Sequence, residues 1–266
     1  MTIFNRQFGP INLQKASVLL SNDDGINAQG LKSLELILRP IVKELIIVAP
    51  ESEQSATSHS LTLRRPLRIN QLSEEHFSVD GTPTDAVLLG VTEISKGRQI
   101  DLIISGINRG GNIGEDVTYS GTVAAAMEGT LLGVPSIALS QIYTDNHRVK
   151  WSTAEDWAPK ILQKVLSIKW PSSVLMNINF PDIESSKVTG VEICVHGHRK
   201  INSELQRGRD PRGDEYFWIG MQKYDSDSTP GTDLEATARG AIAITPLSLE
   251  MTHTQTLNKM KSIFDE

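Results

Sequence analysis

Cys194 is the only cysteine among 266 residues, so no internal disulfide can form. That usage points to a reducing, cytosolic setting, and Cys194, in the apolar run Val191–Val195, reads as a buried small hydrophobe. No apolar stretch approaches the roughly 20 residues a membrane span requires. Met1 to Lys15 lacks the unbroken apolar segment of a secretory signal, and residues 1–16 read as a polar, flexible lead-in. A basic excess is also missing. Lys and Arg total 26 against 32 Asp and Glu, a net charge of −6, which argues against duplex nucleic-acid binding. Pairs such as Arg64-Arg65 are too short to alter this. There is no Gly-x-x-x-x-Gly-Lys-Ser/Thr loop, no Gly-x-Gly-x-x-Gly and no His-Glu-x-x-His, and the histidines show no zinc spacing with Cys194.

What the chain does contain is an alternation of short apolar runs with helical patterns, the mark of a parallel sheet flanked by helices. Strands are expected at Ser17–Leu20, Leu45–Val48, Leu102–Ser105, Ser136–Leu139 and Leu175–Asn179, each nearly continuous in apolar residues, as strands covered on both faces are. Helices are expected at Gly30–Leu38, Thr84–Ile94, Gly121–Leu132 and Thr153–Leu166. Leu31, Leu34 and Leu38 share a face of the first, which Pro40 ends. Leu67–Ile69 and Phe77–Val79 suggest an inserted hairpin, and Ala241–Thr245 a late strand. From 196 to 233 the chain is rich in charge, Gly and Pro around Tyr216-Phe217-Trp218. That segment reads either as an arm leaning on a second subunit or as a surface excursion over its own core. Residues 251–266 read as a helix or tail, leaving 17–250 as a single domain.

The first strand runs directly into Ser21-Asn22-Asp23-Asp24-Gly25. Two unit charges about 4 Å apart repel by roughly 4 kcal/mol at an effective dielectric near 20, and by about 1 kcal/mol in water. A helix N-terminus offsets only about 0.3–1 kcal/mol of that. A buried pair therefore calls for a bound cation, whereas a solvated turn tolerates the pair without one. Ligands of open parallel sheets bind beyond the carboxyl ends of the strands. There, right-handed crossovers bring together Ser21–Gly25, Glu51–Ser60 and Gly106–Thr118. The shared edge would hold Asp23, Asp24, Ser55 or a neighbouring hydroxyl, and Asn108 or Asn112. Such hard oxygen donors suit Mg²⁺ or Mn²⁺ rather than zinc. Ser120-Gly121-Thr122 opens a helix of small residues whose free N–H groups can hold a phosphate, although plain N-capping accounts for the same residues. His59, in the second loop, reads as a hydrogen-bonding residue that could also reach a phosphate oxygen, and His196 and His198 read as surface or arm residues.

These motifs together resemble the SurE family of nucleotidases, the survival protein E group. The resemblance starts at Val18-Leu19-Leu20-Ser21-Asn22-Asp23-Asp24-Gly25-Ile26 and continues through Val48-Ala49-Pro50, Gln54-Ser55 and His59-Ser60-Leu61-Thr62. It extends over Gly81-Thr82-Pro83-Thr84-Asp85, Ser105-Gly106-Ile107-Asn108-Arg109-Gly110, Asn112, Gly114, Asp116 and Tyr119 to Ala125. Asp210-Pro211-Arg212-Gly213, Trp218-Ile219-Gly220 and Gly231-Thr232-Asp233-Leu234 complete it.

The resemblance implies an α/β fold, with a Rossmann-like three-layer core and a mostly parallel sheet. It implies a cytoplasmic, divalent-metal-dependent 5′-nucleotidase hydrolysing nucleoside 5′-monophosphates. By motif position Asp23, Asp24, Ser55 and Asn108 correspond to ligands of one Mg²⁺ or Mn²⁺ per subunit. Asn108, Ser120, Gly121 and Thr122 fall where phosphate is held. Catalysis would rest on Asp23 and Asp24 with a metal-activated water, or less directly on an aspartyl-phosphate at Asp23. Members form homodimers or homotetramers through exchanged C-terminal arms. The chain departs from the family at Ala56, where glycine is common, and at Gln29, where proline is. A non-catalytic nucleotide sensor and a metal-dependent nucleotidyl- or glycosyl-transferase are the rival readings of the same loops.

Overall fold

The computed structural model describes residues 6–144, 148–198, 205–219 and 229–264. Thirteen strands and six helices run through them in the order β1 (Gln7–Phe8), β2 (Ser17–Ser21), α1 (Gln29–Leu38), β3 (Glu44–Pro50), β4 (Ile69–Gln71), β5 (His76–Val79), α2 (Pro83–Leu89), β6 (Leu102–Arg109), α3 (Gly121–Leu131), β7 (Ser136–Gln141), α4 (Trp151–Val165), β8 (Trp170–Pro171), β9 (Val174–Phe180), β10 (Gly190–Ile193), β11 (Leu205–Arg209), β12 (Glu215–Ile219), α5 (Asp233–Ala238), β13 (Ala241–Ser248) and α6 (Thr254–Phe264). Nine strands form one sheet, in the order β10-β13-β9-β7-β6-β2-β3-β5-β4. The six-strand stretch from β9 to β5 is parallel throughout, and the two antiparallel contacts, β13 on β9 and β4 on β5, lie outside it.

Alternation along the strands makes the three layers. Val18 and Leu20 of β2, with Leu102 and Ile104 of β6, face Leu31, Leu34 and Leu38 of α1 and Ala158, Ile161 and Leu162 of α4. Leu19 and Ile103, one residue out of step, face the opposite side, where Ala86 and Val87 of α2 and Ala125 of α3 cover them. Each fully buried aliphatic side chain contributes about 1.5–3 kcal/mol. A sheet covered on both sides collects this along nearly every residue, which is why its strands carry unbroken apolar runs. No helix among the described residues is long and apolar enough to cross a membrane.

The observed elements correct several expectations. Leu67–Ile69 and Phe77–Val79 do not form an insertion. The hairpin β4–β5 is the edge of the main sheet, because β5 pairs in parallel with β3 before β4 folds back on it. The helix expected over Thr84–Ile94 is α-helical only to Leu89, and Gly90–Ile94 forms a wider π-turn. β6 continues past Ser105 to Arg109, with a register shift against β7 between Ser105 and Asn108, so the start of the presumed loop, Gly106–Arg109, is strand. Cys194 is buried, as expected, while Ile193 and Val195 on either side are exposed, the alternation of an edge strand.

The lead-in is built into the fold from Arg6 onward. β1 pairs with β8, and the buried Phe8 ring meets the Trp170 ring edge-on at 6.3 Å. In the arm region, β11 and β12 form an antiparallel hairpin that exposes Tyr216, Phe217 and Trp218. Residues 199–204 and 220–228 of the expected arm lie outside the described residues.

Close packing of α1 on β6 sets the floor of the site. A methyl group on Gly30 would run into the Ile107 carbonyl oxygen and come within 3.0 Å of the Trp151 ring. Gly30→Ala gains about 1 kcal/mol of helix propensity but meets a clash of about 1–3 kcal/mol. The variant is expected to unfold at lower urea concentration with an unchanged m-value; an unchanged or higher midpoint would show that α1 shifts freely.

Candidate active site at the carboxyl edge of the sheet

Asn22 shapes the turn after β2. Its buried side chain donates to the Gly25 carbonyl at 3.0 Å and accepts from the Gly25 N–H at 3.2 Å, closing the turn from both ends. Ile26 then donates to the Pro50 carbonyl at 2.8 Å, pinning the turn to the end of β3. Asp23 and Asp24 are left at the apex, between three neighbouring strand ends.

Each carboxylate is tied to a different loop. Thr122, in the first turn of α3, donates its hydroxyl to Asp23 Oδ1. Asp24 Oδ2 accepts from the Arg109 N–H at 3.1 Å, at the end of β6. The Asp23 carbonyl takes the Gln54 N–H at 2.8 Å, which hooks in the second loop beside Ser55. Asp23 is 4% exposed, Asp24 half-buried, Asn108 half-buried and Ser55 exposed. The pair is therefore not a solvated turn. A side chain at Gly121 would come within 2.7 Å of Asp23 Cβ, so only glycine lets α3 approach this closely.

Burial dominates the electrostatics. It pushes the Asp23 carboxyl up from 3.8 to about 6, with the Asp24 charge adding to the rise and hydrogen bonds from Thr122 opposing it. Asp24 is raised too, first by burial and then by Glu53, while the Arg109 N–H and charge pull it down. Two carboxylates that both hold protons tightly leave negative charge uncompensated when ionised, which a divalent cation would relieve.

The remaining donors suit a hard cation. Ser55 Oγ donates to Glu53 at 2.8 Å, and its lone pairs can still be offered to a cation. The Asn108 amide nitrogen donates to the Gly110 carbonyl at 3.0 Å, which leaves its Oδ1 as the side-chain oxygen it could offer to a cation. Ser21 Oγ and Ser105 Oγ, opposite each other in register beneath the loops, are buried without a hydrogen-bond partner among the described residues. Those residues contain no group of three or more His, Cys, Asp and Glu placed for a metal, so a centre here would need the Ser and Asn oxygens as well.

Asn108 and Asn112 differ in their burial. Asn112 is buried and tied to the strands below: its N–H donates to Asn179 Oδ1 and its amide to Ser140 Oγ, both at 2.8 Å, and its carbonyl accepts from Asn177 and Asn179. It holds the loop, whereas Asn108 is half-buried. His59 bonds Glu128 on α3 at 2.9 Å. His196 caps the Gly114 carbonyl, and His198 meets Glu115 at 3.0 Å.

One supporting residue had no role assigned from sequence. Asp233, fully buried at the start of α5, accepts from Gly114 at 3.1 Å and from Gly197 at 2.9 Å, joining the site loop to the root of the arm. The capping pattern Thr232-x-x-Glu235 was its only local signal, and Thr232 does cap α5.

Such an arrangement, with paired carboxylates and a helix N-terminus at the carboxyl edge of a doubly covered parallel sheet, belongs to the class of α/β proteins whose ligand sites lie beyond the strand ends. A family model described as Survival protein SurE matches residues 18–203, and the chain belongs to the SurE family. It is 55% identical over 247 residues to the 5′-nucleotidase SurE of Paramagnetospirillum magneticum, covering 93% of this chain and 95% of that one. It is 47% identical over 261 residues to the 5′-nucleotidase SurE of Rhodospirillum rubrum, covering 97% and 100%. Among solved structures, the SurE protein from Aquifex aeolicus superimposes with a TM-score of 0.81 at 34% identity, over 93% of this chain and 99% of that one.

Two expectations follow from the geometry. Because the folded protein binds the Asp23 proton more tightly than the unfolded chain does, metal-free stability should fall as pH rises from about 4 to about 6. The loss is on the order of 3 kcal/mol from this group. Melting in EDTA across that range should show the decline in the wild type, its absence in Asp23→Asn, and its suppression by excess Mn²⁺. Ala56 sits at a φ of 59°, a left-handed conformation that costs a side chain about 1–2 kcal/mol. Glycine relieves that strain and returns only about 0.4–1 kcal/mol in unfolded-state entropy. Ala56→Gly should therefore raise stability by up to about 1 kcal/mol, read from the denaturation midpoint.

Proposed function

We propose that this chain is a divalent-metal-dependent 5′-nucleotidase that hydrolyses nucleoside 5′-monophosphates to nucleoside and phosphate. The observation that carries this reading is the Thr122–Asp23 hydrogen bond, which sets a helix N-terminus directly against the buried member of a carboxylate pair. The names of its relatives supply the substrate class.

In this reading Asp23, Asp24, Ser55 and Asn108 hold one Mg²⁺ or Mn²⁺. When bound, the cation would lower the pKa of a water and offset charge on the phosphoryl oxygens. Asp23, buried and braced by Thr122, keeps its carboxylate in one orientation. Asp24, the more accessible of the two, orients the attacking water and accepts its proton. At the start of α3, Ser120 caps the Val123 N–H at 3.0 Å, and the N–H groups of Gly121 and Thr122 with the Asn108 amide steady the phosphoryl group.

We further take residues 17–250 as one functional unit acting in the cytoplasm. The exposed hairpin β11–β12 serves as an interface in a homodimer or homotetramer. Its exposed Phe217, Trp218 and Ile219 favour burial against a second copy.

The test is phosphate release from a panel of nucleoside 5′-monophosphates in Mn²⁺, Mg²⁺ or EDTA. Release should require metal, and Asp23→Asn should lose about 100-fold or more, at least the upper range for an outer-shell partner of a metal. Folded protein that releases no phosphate from any nucleotide with any metal would overturn the hydrolase reading.

A further inference from the structure

Arg109 places its backbone and its side chain in different roles. Its N–H fixes Asp24, as described, while its guanidinium lies over the ring of Tyr143, 5.0 Å from the centroid. Arg109 is exposed and forms no salt bridge among the described residues, so the ring is the guanidinium's only close partner there. The residues on either side of Tyr143 are tied down. Gln141, two residues before it, donates its buried amide to the Phe180 and Pro181 carbonyls. Thr144, the next residue, bonds Asp182 through its N–H at 2.9 Å and its hydroxyl at 2.6 Å. Asp182 is itself locked by Lys150 at 2.7 Å.

A flat, weakly hydrated cation on an aromatic face thus stands at the rim of the site, one arginine side chain from the Asp24 carboxylate. That is about the span a ribose bridges between the phosphate and base of a nucleotide. Guanidinium planes and aromatic rings are surfaces on which unpaired bases stack.

We propose that Arg109 and Tyr143 form the shelf on which the nucleobase of the substrate stacks, with purines favoured for their larger face. This rests on the nucleotide reading of the site and adds its base-recognition element. Tyr143 orients the guanidinium and extends the stack; it takes no part in the chemistry at phosphorus.

The test compares two ligands that cannot be hydrolysed, the phosphonate analogues of AMP and of ribose 5-phosphate. Their binding is measured in Mg²⁺ for the wild type, Tyr143→Ala and Tyr143→Phe, with phosphate release from AMP and ribose 5-phosphate followed in parallel. The AMP analogue should bind the wild type about tenfold more tightly than the ribose analogue, within the range base stacking supplies. Tyr143→Ala should abolish that preference, Tyr143→Phe should keep it, and ribose-analogue binding should not change in either. A preference that survives in Tyr143→Ala overturns the shelf, as does an equal loss for both analogues or no AMP-analogue binding to the wild type. The hydrolase reading is scored separately by phosphate release. A stacking preference without release would keep the shelf and remove the phosphatase, and release without a Tyr143-dependent preference would do the reverse.

Discussion

Burying negative charge at the end of β2 is the constraint around which this structure is arranged. Asp23 is nearly inaccessible and has Asp24 as its chain neighbour, so neither burial nor the neighbouring charge favours ionisation. The fold answers with donors from separate elements. Thr122 comes from α3, the Arg109 N–H from the end of β6, and the Asn22 side chain closes the turn beneath. Those donors only partly compensate, and the carboxyl remains raised to about 6. Residual charge in a low-dielectric pocket would suit such a turn to a cation, since attraction to a divalent ion is strongest where water screens it least.

The supporting shell is polar and buried, with its hydrogen bonds closed locally. Asn112 is bonded by Asn177, Asn179 and Ser140 from the strands below, so the loop after β6 rests on a rigid floor. From Gly114 the connection passes through the Asp233 carboxylate to Gly197, where the chain leaves for the exposed hairpin. The loop of the site and the root of the arm therefore share one buried side chain.

Local sequence was a good guide wherever one short-range rule dominated. The five central strands were legible because a strand covered on both faces must be apolar at every position, and Val18 to Leu20 obey that rule. The amphipathic face of α1 was readable from Leu31, Leu34 and Leu38 for a similar reason. The hairpin β4–β5 was misjudged because its residues do not reveal which strand lies alongside; pairing with β3 is a contact between distant segments. The extension of β6 through Asn108 was hidden by glycines that read as a loop but permit a bulged strand. Asp233 was invisible as a supporting residue because its partners lie 119 and 36 positions away.

By itself the sequence determined the chemistry on offer: adjacent carboxylates after a buried strand, a hydroxyl and an amide in two later loops, and a small-residue helix start. Turn residues and apolar periodicity are properties of neighbouring positions, so they can be read along the chain. Tertiary structure decided the state of those groups. It buried Asp23 while leaving Asp24 half open, packed Asn112 into the scaffold, and laid Arg109 across Tyr143. Burial, pairing and electrostatic strength depend on what packs from the other strands, and only the folded sheet brings those strands together.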